Sequence, residues 1–520
     1  MLIYNSKIKS MNLKKLKITS ICLFLTMLGC SDDYLIDQQY DGVTDEIVFN
    51  DPETASAVVT SVYDTFQGGT VEYLTKAVFY PANFLTQDFK NIGSDAFFQT
   101  FQIPVTFVPF NNMWTQNYIG IGRANNAIYN INLMVEEGDI DAEYGNRLIS
   151  ESRALRGVLY SIMASNFGGV PIVTQTAERI EDPEAPRNTQ EEVFRQVIED
   201  MEMAAEYLPW EYPESETGRI TKGAAYAYMG SAYMWLGEYQ NAIEAFEMLE
   251  GHYTLEDDFL AIHANDNQNN NESIFEVQLY DESGDLGWGR DDNKTFIQSF
   301  TMPNEIGNGG GYAVPTEALY NSFEDGDERR SATLIGPGEE HPDPIIDIAM
   351  YENVQQNFGG INTLGTEEDP WTGIDGLPGR EGYYAVKLWR NPIVDGWSGP
   401  NIFGGQNLIF LRYGEVLLSL AESYHKIGND SKSMEYLMRV RNRAGLEQPP
   451  QGELMNSILE EYRHELAGEF SLWWVLRRSG DHIEYIQDRF DIAIPEGKDL
   501  MPIPQQQIDI NPNLTQNPGY

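Results

Sequence analysis

The chain runs to 520 residues and carries 80 Asp and Glu against 34 Lys and Arg, a formal charge of −46. A surface this acidic repels phosphate backbones and anionic headgroups, which disfavours nucleic acid as a partner. Hydrophobic residues make up 42% and aromatic residues 12%, enough for one large or two moderate cores and too apolar for a disordered chain.

Residues 1–29 hold five lysines (Lys7, Lys9, Lys14, Lys15, Lys17) and no acid, followed by the apolar run from Ile18 to Leu28 and then Gly29-Cys30. A basic start, a short apolar stretch and a small residue before a cleavage point make a secretory signal, too short for a membrane span. Met11 can begin a complete signal as well as Met1. Cys30 occupies the acceptor position of bacterial lipoproteins, and two acyl chains anchor stably because each buried methylene adds about 0.8 kcal/mol. An ordinary signal with an incidental cysteine is the plainer alternative. Ser31-Asp32-Asp33 resembles the surface-export signal of Bacteroidetes lipoproteins, although any solvated tether looks similar. Loss of the five signal lysines takes the charge from −46 to −51. Cys22 leaves with the signal and Cys30 carries lipid, so neither a disulfide nor thiol chemistry remains.

Helical periodicity dominates two blocks. WTQNYIGIGRANNAIYNINLM sets Tyr118, Ile121, Ile128 and Ile131 on one face, and RLISESRALRGVLYSIMASNF does the same with Leu148, Leu155, Leu159, Ile162 and Met163. Gly168-Gly169 and Pro171 stop the second helix. Residues 222–249 read as a helical hairpin, with small Ala225, Gly230 and Ala232 for close contact, a turn at Gly237, and Ala242 and Phe246 opening the next helix. RYGEVLLSLAESYHKIGNDSKSMEYLMRVRNRAGL repeats the pattern, with Val416, Leu417, Leu420 and Tyr424 before a Gly428-Asn429 turn. Between the blocks, residues 251–408 are rich in Gly, Asn, Asp and aromatics. Here ESIFEVQLY and GYYAVKLW are predicted strands within long, ordered loops.

Eight segments, in order, then carry a resemblance. WTQNYIGIGRANNAIYNI, ESRALRGVLYSIMASNFGGVPIV, ESIFEVQ, VPTEALYNSFEDGDERR, FLRYGEVLLSLAESY, VRNRAGL, ILEEYRHELAGEFSLWWVLRR and LMPIPQQQIDINPNLTQNPGY resemble the SusD/RagB group of Bacteroidetes outer-membrane lipoproteins. The pattern departs at Tyr462 and at Phe470-Ser471-Leu472. The resemblance implies a mainly α SusD-like fold: four tetratricopeptide-like helical hairpins, plus an irregular, loop-rich ligand region with a few short strands. It divides the chain into a signal at 1–29, an N-terminal region at 30–250 and a C-terminal region at 251–520. It also implies a SusC-like TonB-dependent transporter as partner and an oligosaccharide or polysaccharide ligand. A RagB-like peptide-capturing protein and a transporter lid with no ligand of its own are the alternatives.

Catalysis has no motif behind it. The nearest approach to G-x-S-x-G is Gly396-Trp397-Ser398-Gly399 followed by Pro400, and H-E-x-x-H, a P-loop and G-x-G-x-x-G are absent. The six histidines lack metal-ligand spacing, so neither metal nor cofactor is expected. With 80 acids a glycosidase-like carboxylate pair can arise by chance, without a positive sign of it.

Binding has the right composition. A sugar presents an apolar C–H face to an aromatic ring, and its hydroxyls need amide and carboxylate partners. DFKNIGSDAFFQTF offers Asp95, Phe97 and Phe98 beside Asn91, although adjacent phenylalanines usually put one ring in the core. The stretch from LYDESGDLGWGRDDNKTF to GGGYAVP offers Tyr280, Trp288, Arg290 and Tyr312. Trp288 lies between glycines without apolar neighbours and reads as exposed, with Trp371 and Trp397 weaker candidates of the same kind. Trp114, Trp235, Trp473 and Trp474 sit on helical patterns and read as core; Arg153 and Arg156 read as structural ion-pair partners. Cys30→Ala is expected to release the protein from membranes and to abolish antibody labelling of intact cells. Wild-type protein recovered soluble in the periplasm contradicts the anchor.

Overall fold

A computed structural model of the chain describes residues 51–520 apart from 68–70, 180–183, 280–294, 304–310, 351–365, 367, 369–381 and 391–404. Cys30 therefore lies outside the described residues. Helix α1 (Pro52–Gln67) starts where Asp51 accepts the Thr54 N–H at 2.9 Å and Pro52 presets the first turn. Helices α2 (Val108–Glu137) and α3 (Ala142–Phe167) follow as an antiparallel pair joined through Gly138, and Asp141 caps α3 by accepting from the Tyr144 N–H. Ile121, Ile128 and Ile131 of α2 and Leu148, Leu155, Leu159 and Met163 of α3 are buried as their periodicity requires; Tyr118 and Ile162 are partly buried against the cluster that holds Ile121 and Leu155. Arg156 pairs with Asp200 of α4 (Gln190–Tyr207) and donates to Asn125 at 2.6 Å, while Arg153 lies 3.7 Å from Asp200. Both arginines serve the scaffold, as their spacing on one face suggests. A reciprocal Thr189–Glu192 capping box opens α4.

Two further hairpins supply the rest of the helical wall. The first is α5 (Lys222–Trp235) with α6 (Tyr239–Glu247), turning at Gly237; the second is α7 (Tyr413–Lys426) with α8 (Asp430–Arg443), turning at Gly428. Both turn glycines have φ near +80° or somewhat less, +70° and +82°, which other residues rarely adopt. A Cβ on Gly230 would fall 2.6 Å from the Phe246 ring, so the small residue is what lets α6 close on α5. This small-against-large order fits a tetratricopeptide-like unit. Helices α9 (Leu454–Leu466), α10 (Leu472–Ser479) and α11 (His482–Phe490) complete the main elements. Trp114 and Trp473 are buried, whereas Trp235 and Trp474 are only half-buried and line a cavity of about 100 Å³.

The strands are short and pair two by two, all antiparallel. β1 (Phe89–Asn91) pairs with β3 (Ala313–Pro315), β2 (Ser273–Val277) with β6 (Leu408–Arg412), and β4 (Leu334–Ile335) with β5 (Tyr384–Ala385). ESIFEVQLY thus forms a five-residue strand. GYYAVKLW keeps only two residues in a ladder, because its partner is itself two residues long and the chain then turns to bury Lys387 and Trp389.

A buried ion network closes the fold. Arg412, at the end of β6 and 1% exposed, donates to Glu272 at 2.7 Å, to Glu465 of α9 at 2.6 Å and to Glu469 at 2.8 Å. Arg443 of α8 reaches the same Glu272 and Glu465, Lys387 reaches Glu469 at 2.8 Å, and Arg329 reaches Glu465 at 3.2 Å. Burial alone would raise the Glu465 carboxyl, but Arg443, Arg412 and Arg329 together hold it well below the usual carboxylate range. Burial wins at Lys387, whose ammonium is pushed down to about 8 although Glu469 opposes the shift. Arg412→Ala is expected to destabilise the protein by about 3–5 kcal/mol, since it strands buried carboxylates without their cation. Denaturant unfolding measures this, and a loss below about 1 kcal/mol would show that the network is dispensable.

Candidate functional site

The site begins with the loop that follows β1. Asn91 turns its carboxamide back so that Oδ1 accepts the N–H of Gly93 at 2.9 Å and of Asp95 at 3.3 Å, folding residues 91–95 into a tight polar loop. The Gln99 carboxamide donates to the Asn91 carbonyl at 3.2 Å and closes it from the far side. A single 3₁₀ turn, Ala96–Phe98, then decides which phenylalanine goes inward.

Phe98 does. It is fully buried, with ring centroids 6.0 Å from Tyr80, 6.1 Å from Phe84, 5.6 Å from Phe107 and 6.2 Å from Phe110. Phe98 is therefore corrected from candidate ligand contact to core residue: a ring enclosed by these four and by Phe97 has no face left for a ligand. Phe97 is half-buried, 5.1 Å from Phe98 and 5.2 Å from Phe107, and keeps part of its surface in solvent. Asp95 directs its carboxylate to Lys76 Nζ at 3.6 Å and is mostly covered.

The β1–β3 ladder brings Tyr312 to this loop. The Ile92 N–H donates to the Tyr312 carbonyl at 3.1 Å, extending the register in which Asn91 faces Ala313. The phenol lies over Gly93, where a Cβ would fall 2.9 Å from Tyr312 Cδ1, and against Phe300 at 5.5 Å between centroids. Glycine at 93 is thus a condition of the ring's position. Tyr312 is 38% exposed and, with Tyr207, one of two aromatic rings among the ten large apolar side chains exposed on the described surface. The described part of the site is therefore an aromatic ring on a rigid ledge, flanked by a half-buried phenylalanine, a paired carboxylate and carboxamides. Trp288, Arg290 and Trp371 lie outside the described residues, as do Tyr280 and Trp397. Lys76 and Phe300 were not among the residues singled out in the sequence. Asn91-x-Gly93 carries a local turn signal, but nothing near Lys76 marks it as a partner for a residue nineteen positions on.

Buried carboxyls elsewhere are tied into the scaffold. Burial raises the carboxyls of Glu276, Glu415 and Glu422, and each still has a fixed partner: Asn407 at 2.9 Å, Ser471 at 2.7 Å and Arg478 at 2.6 Å. Burial lowers His341 to about 4 and holds His263, His464 and His482 below their ordinary value, so these rings stay neutral in the interior. Among the described residues no group of three or more His, Cys, Asp or Glu is placed to hold a metal ion.

The fold and the two sequence halves have clear relatives. The SusD family model matches residues 271–520, and the model described as "Starch-binding associating with outer membrane" matches residues 35–234. The chain belongs to the SusD/RagB family. SusD-like protein P2 of Formosa agariphila is 27% identical over 98% of this chain and all of its own length, and a SusD-like protein of Bacteroides ovatus is 23% identical over 86% and 80%. Among solved structures, a laminarin-binding SusD-like protein superposes with a TM-score of 0.72 at 24% identity, covering 91% of this chain and all of its own. Surface glycan-binding protein A of Bacteroides thetaiotaomicron, solved with laminarihexaose, superposes at 0.71 and 20% identity, covering 89% and 99%. The SusD-like, mainly helical fold expected from the sequence is thus the observed one, with its loop-rich part carrying the short strands. No helix among the described residues is long and apolar enough to cross a membrane.

Proposed function

We propose that this SusD-family protein is a non-catalytic, lipid-anchored protein of the outer-membrane surface that captures a glycan on the Tyr312 face and passes it to a SusC-like TonB-dependent transporter. The observation that carries the reading is the exposed Tyr312 ring, held by the β1–β3 ladder above Gly93 and beside the polar 91–99 loop. Glycan-binding relatives of the same fold support it. Phe97 adds apolar surface, Asp95 supplies a carboxylate partner for hydroxyls, and Trp288, Arg290 and Trp371 belong to the same proposed face. The strongly acidic chain favours a neutral glycan over a polyanion.

The use of the carboxylates in the scaffold speaks against catalysis. Glycoside hydrolysis needs a protonated carboxyl and a second carboxylate across the scissile bond. Among the described residues the raised carboxyls of Glu276, Glu415 and Glu422 are bound to scaffold partners, and Asp95 is held by Lys76. An exposed ring on a pre-formed ledge gives modest affinity, because one stacking contact adds roughly 1 kcal/mol beyond buried area.

Tyr312→Ala is expected to weaken oligosaccharide binding about tenfold while the melting temperature stays nearly unchanged. Phe98→Ala should instead cost about 3–5 kcal/mol of stability, as truncation of a core ring does. Calorimetric titration against neutral glycans, anionic glycans and peptides, with product analysis of each mixture, checks both halves. Unchanged affinity in Tyr312→Ala, binding of peptides alone, or release of shorter sugars by the pure protein would each contradict the reading.

A further inference from the structure

A second concave region lies at the start of the α5–α6 hairpin and shares no residue with the Tyr312 face. It is a cavity of about 310 Å³ whose lining includes Trp210, Thr221, His252, Tyr253, Asn271 and Ser273. That volume is at the lower end of small-molecule sites, roughly 300 Å³, and suits one or two sugar units and no more.

Its aromatic wall is a stack. The His252 imidazole lies parallel to the Trp210 indole, 3.6 Å between centroids and 4° apart, and Tyr226 stacks on the same indole at 5.9 Å and 21°. His252 is exposed, so this stack reaches solvent at the cavity. Flat rings at the edge of a polar cavity are what the C–H face of a pyranose packs against.

The polar wall has capacity left over. Thr221 Oγ1 lies 3.0 Å from Tyr253 Oη and also accepts the Ala224 N–H at 3.2 Å as the α5 cap. Two hydroxyls bring two protons, and one is used between them; among the described residues the other has no acceptor. The Asn271 carboxamide, exposed at the rim, makes no hydrogen bond among the described residues, although its backbone N–H donates to Glu256 at 3.2 Å. A hydroxyl proton and a whole carboxamide are therefore available to groups that both donate and accept. The charge balance selects against anions: Glu211 and Glu276 also line the cavity, and its one arginine, Arg219, is already engaged by Glu151 at 2.9 Å and Glu216 at 3.3 Å.

We infer that this cavity is a second saccharide site, which takes one or two neutral sugar units through the Trp210–His252 stack, the Thr221–Tyr253 hydroxyl pair and Asn271. It stands independently of the Tyr312 reading, and a chain long enough to reach both sites would gain avidity from the second contact.

The test is calorimetric titration of the mature chain with neutral hexasaccharides of glucose, xylose, mannose and galactose. Four proteins are compared: wild type, Tyr312→Ala, the double variant His252→Ala with Asn271→Ala, and all three substitutions together. Both cavity residues are exposed, so the double variant should keep its melting temperature. For at least one sugar, Tyr312→Ala is expected to retain binding that the added cavity substitutions weaken about tenfold or abolish. Broadening of the His252 ring proton signals by that sugar should accompany it. The inference is overturned if the cavity variant matches wild type in affinity and stoichiometry for every sugar that binds, or if no sugar binds wild type. Loss of binding in the cavity variant with no effect of Tyr312→Ala would uphold the cavity and overturn the Tyr312 face alone.

Discussion

The fold depends on how one buried guanidinium is neutralised. Arg412 sits where β6 runs into α7, and its donors are shared among Glu272 just before β2, Glu465 of α9 and Glu469 just beyond it. Arg443, Arg329 and Lys387 supply further cations to the same carboxylates, so residues from six separate stretches must arrive together. Leaving any one of these groups uncompensated in the interior costs several kcal/mol. A network of this kind adds little net stability over a well-packed apolar core. What it does is penalise every arrangement in which its members fail to meet, and so it specifies how α9 lies against the β2–β6 pair.

The same helix reaches the candidate site. Arg463 of α9 donates to Asp88 through Nε at 2.9 Å and Nη2 at 2.6 Å, and both side chains are buried. Burial raises the Asp88 carboxyl even though Arg463 opposes the shift, which marks how closed this joint is. Asp88 directly precedes β1, and its carbonyl accepts the Thr316 N–H at 2.9 Å just beyond β3. Helix α9 is thus pinned by buried ion pairs to β6, through Glu465 and Arg412, and to the residue that opens the β1–β3 ladder, through Arg463 and Asp88. Tyr312 therefore stands on a ledge fixed by the scaffold. A pre-ordered ring does not lose rotamer freedom on binding, which is how a surface with few contacts holds a flexible polymer at useful affinity.

Periodicity made the helices legible, because burial of one face is written locally: Ile121, Ile128 and Ile131 or Leu148, Leu155 and Leu159 need only a helix and a core to explain their spacing. The hairpin turns were equally plain at Gly237 and Gly428. Pairing across the chain was not. Tyr383 to Trp389 has strand composition, yet only Tyr384 and Ala385 pair, because ladder length is set by Leu334 and Ile335 some fifty residues earlier. The pairing that sets Tyr312 over Gly93 was not legible either, since nothing local in 91–99 or 311–315 names its partner. Which of Phe97 and Phe98 enters the core was decided by the phase of one 3₁₀ turn, below what composition resolves. The Arg412 network had no signature at all, since its members are charged residues whose burial depends entirely on one another.

A structure of the protein crystallised with a neutral oligosaccharide that it binds tests the central claim most directly. The account predicts a sugar ring packed on the Tyr312 phenol, with hydroxyls within hydrogen-bond distance of groups in the 91–99 loop and the glycosidic bonds intact. An oligosaccharide bound elsewhere with the Tyr312 ring bare, or one cleaved in place, would contradict it.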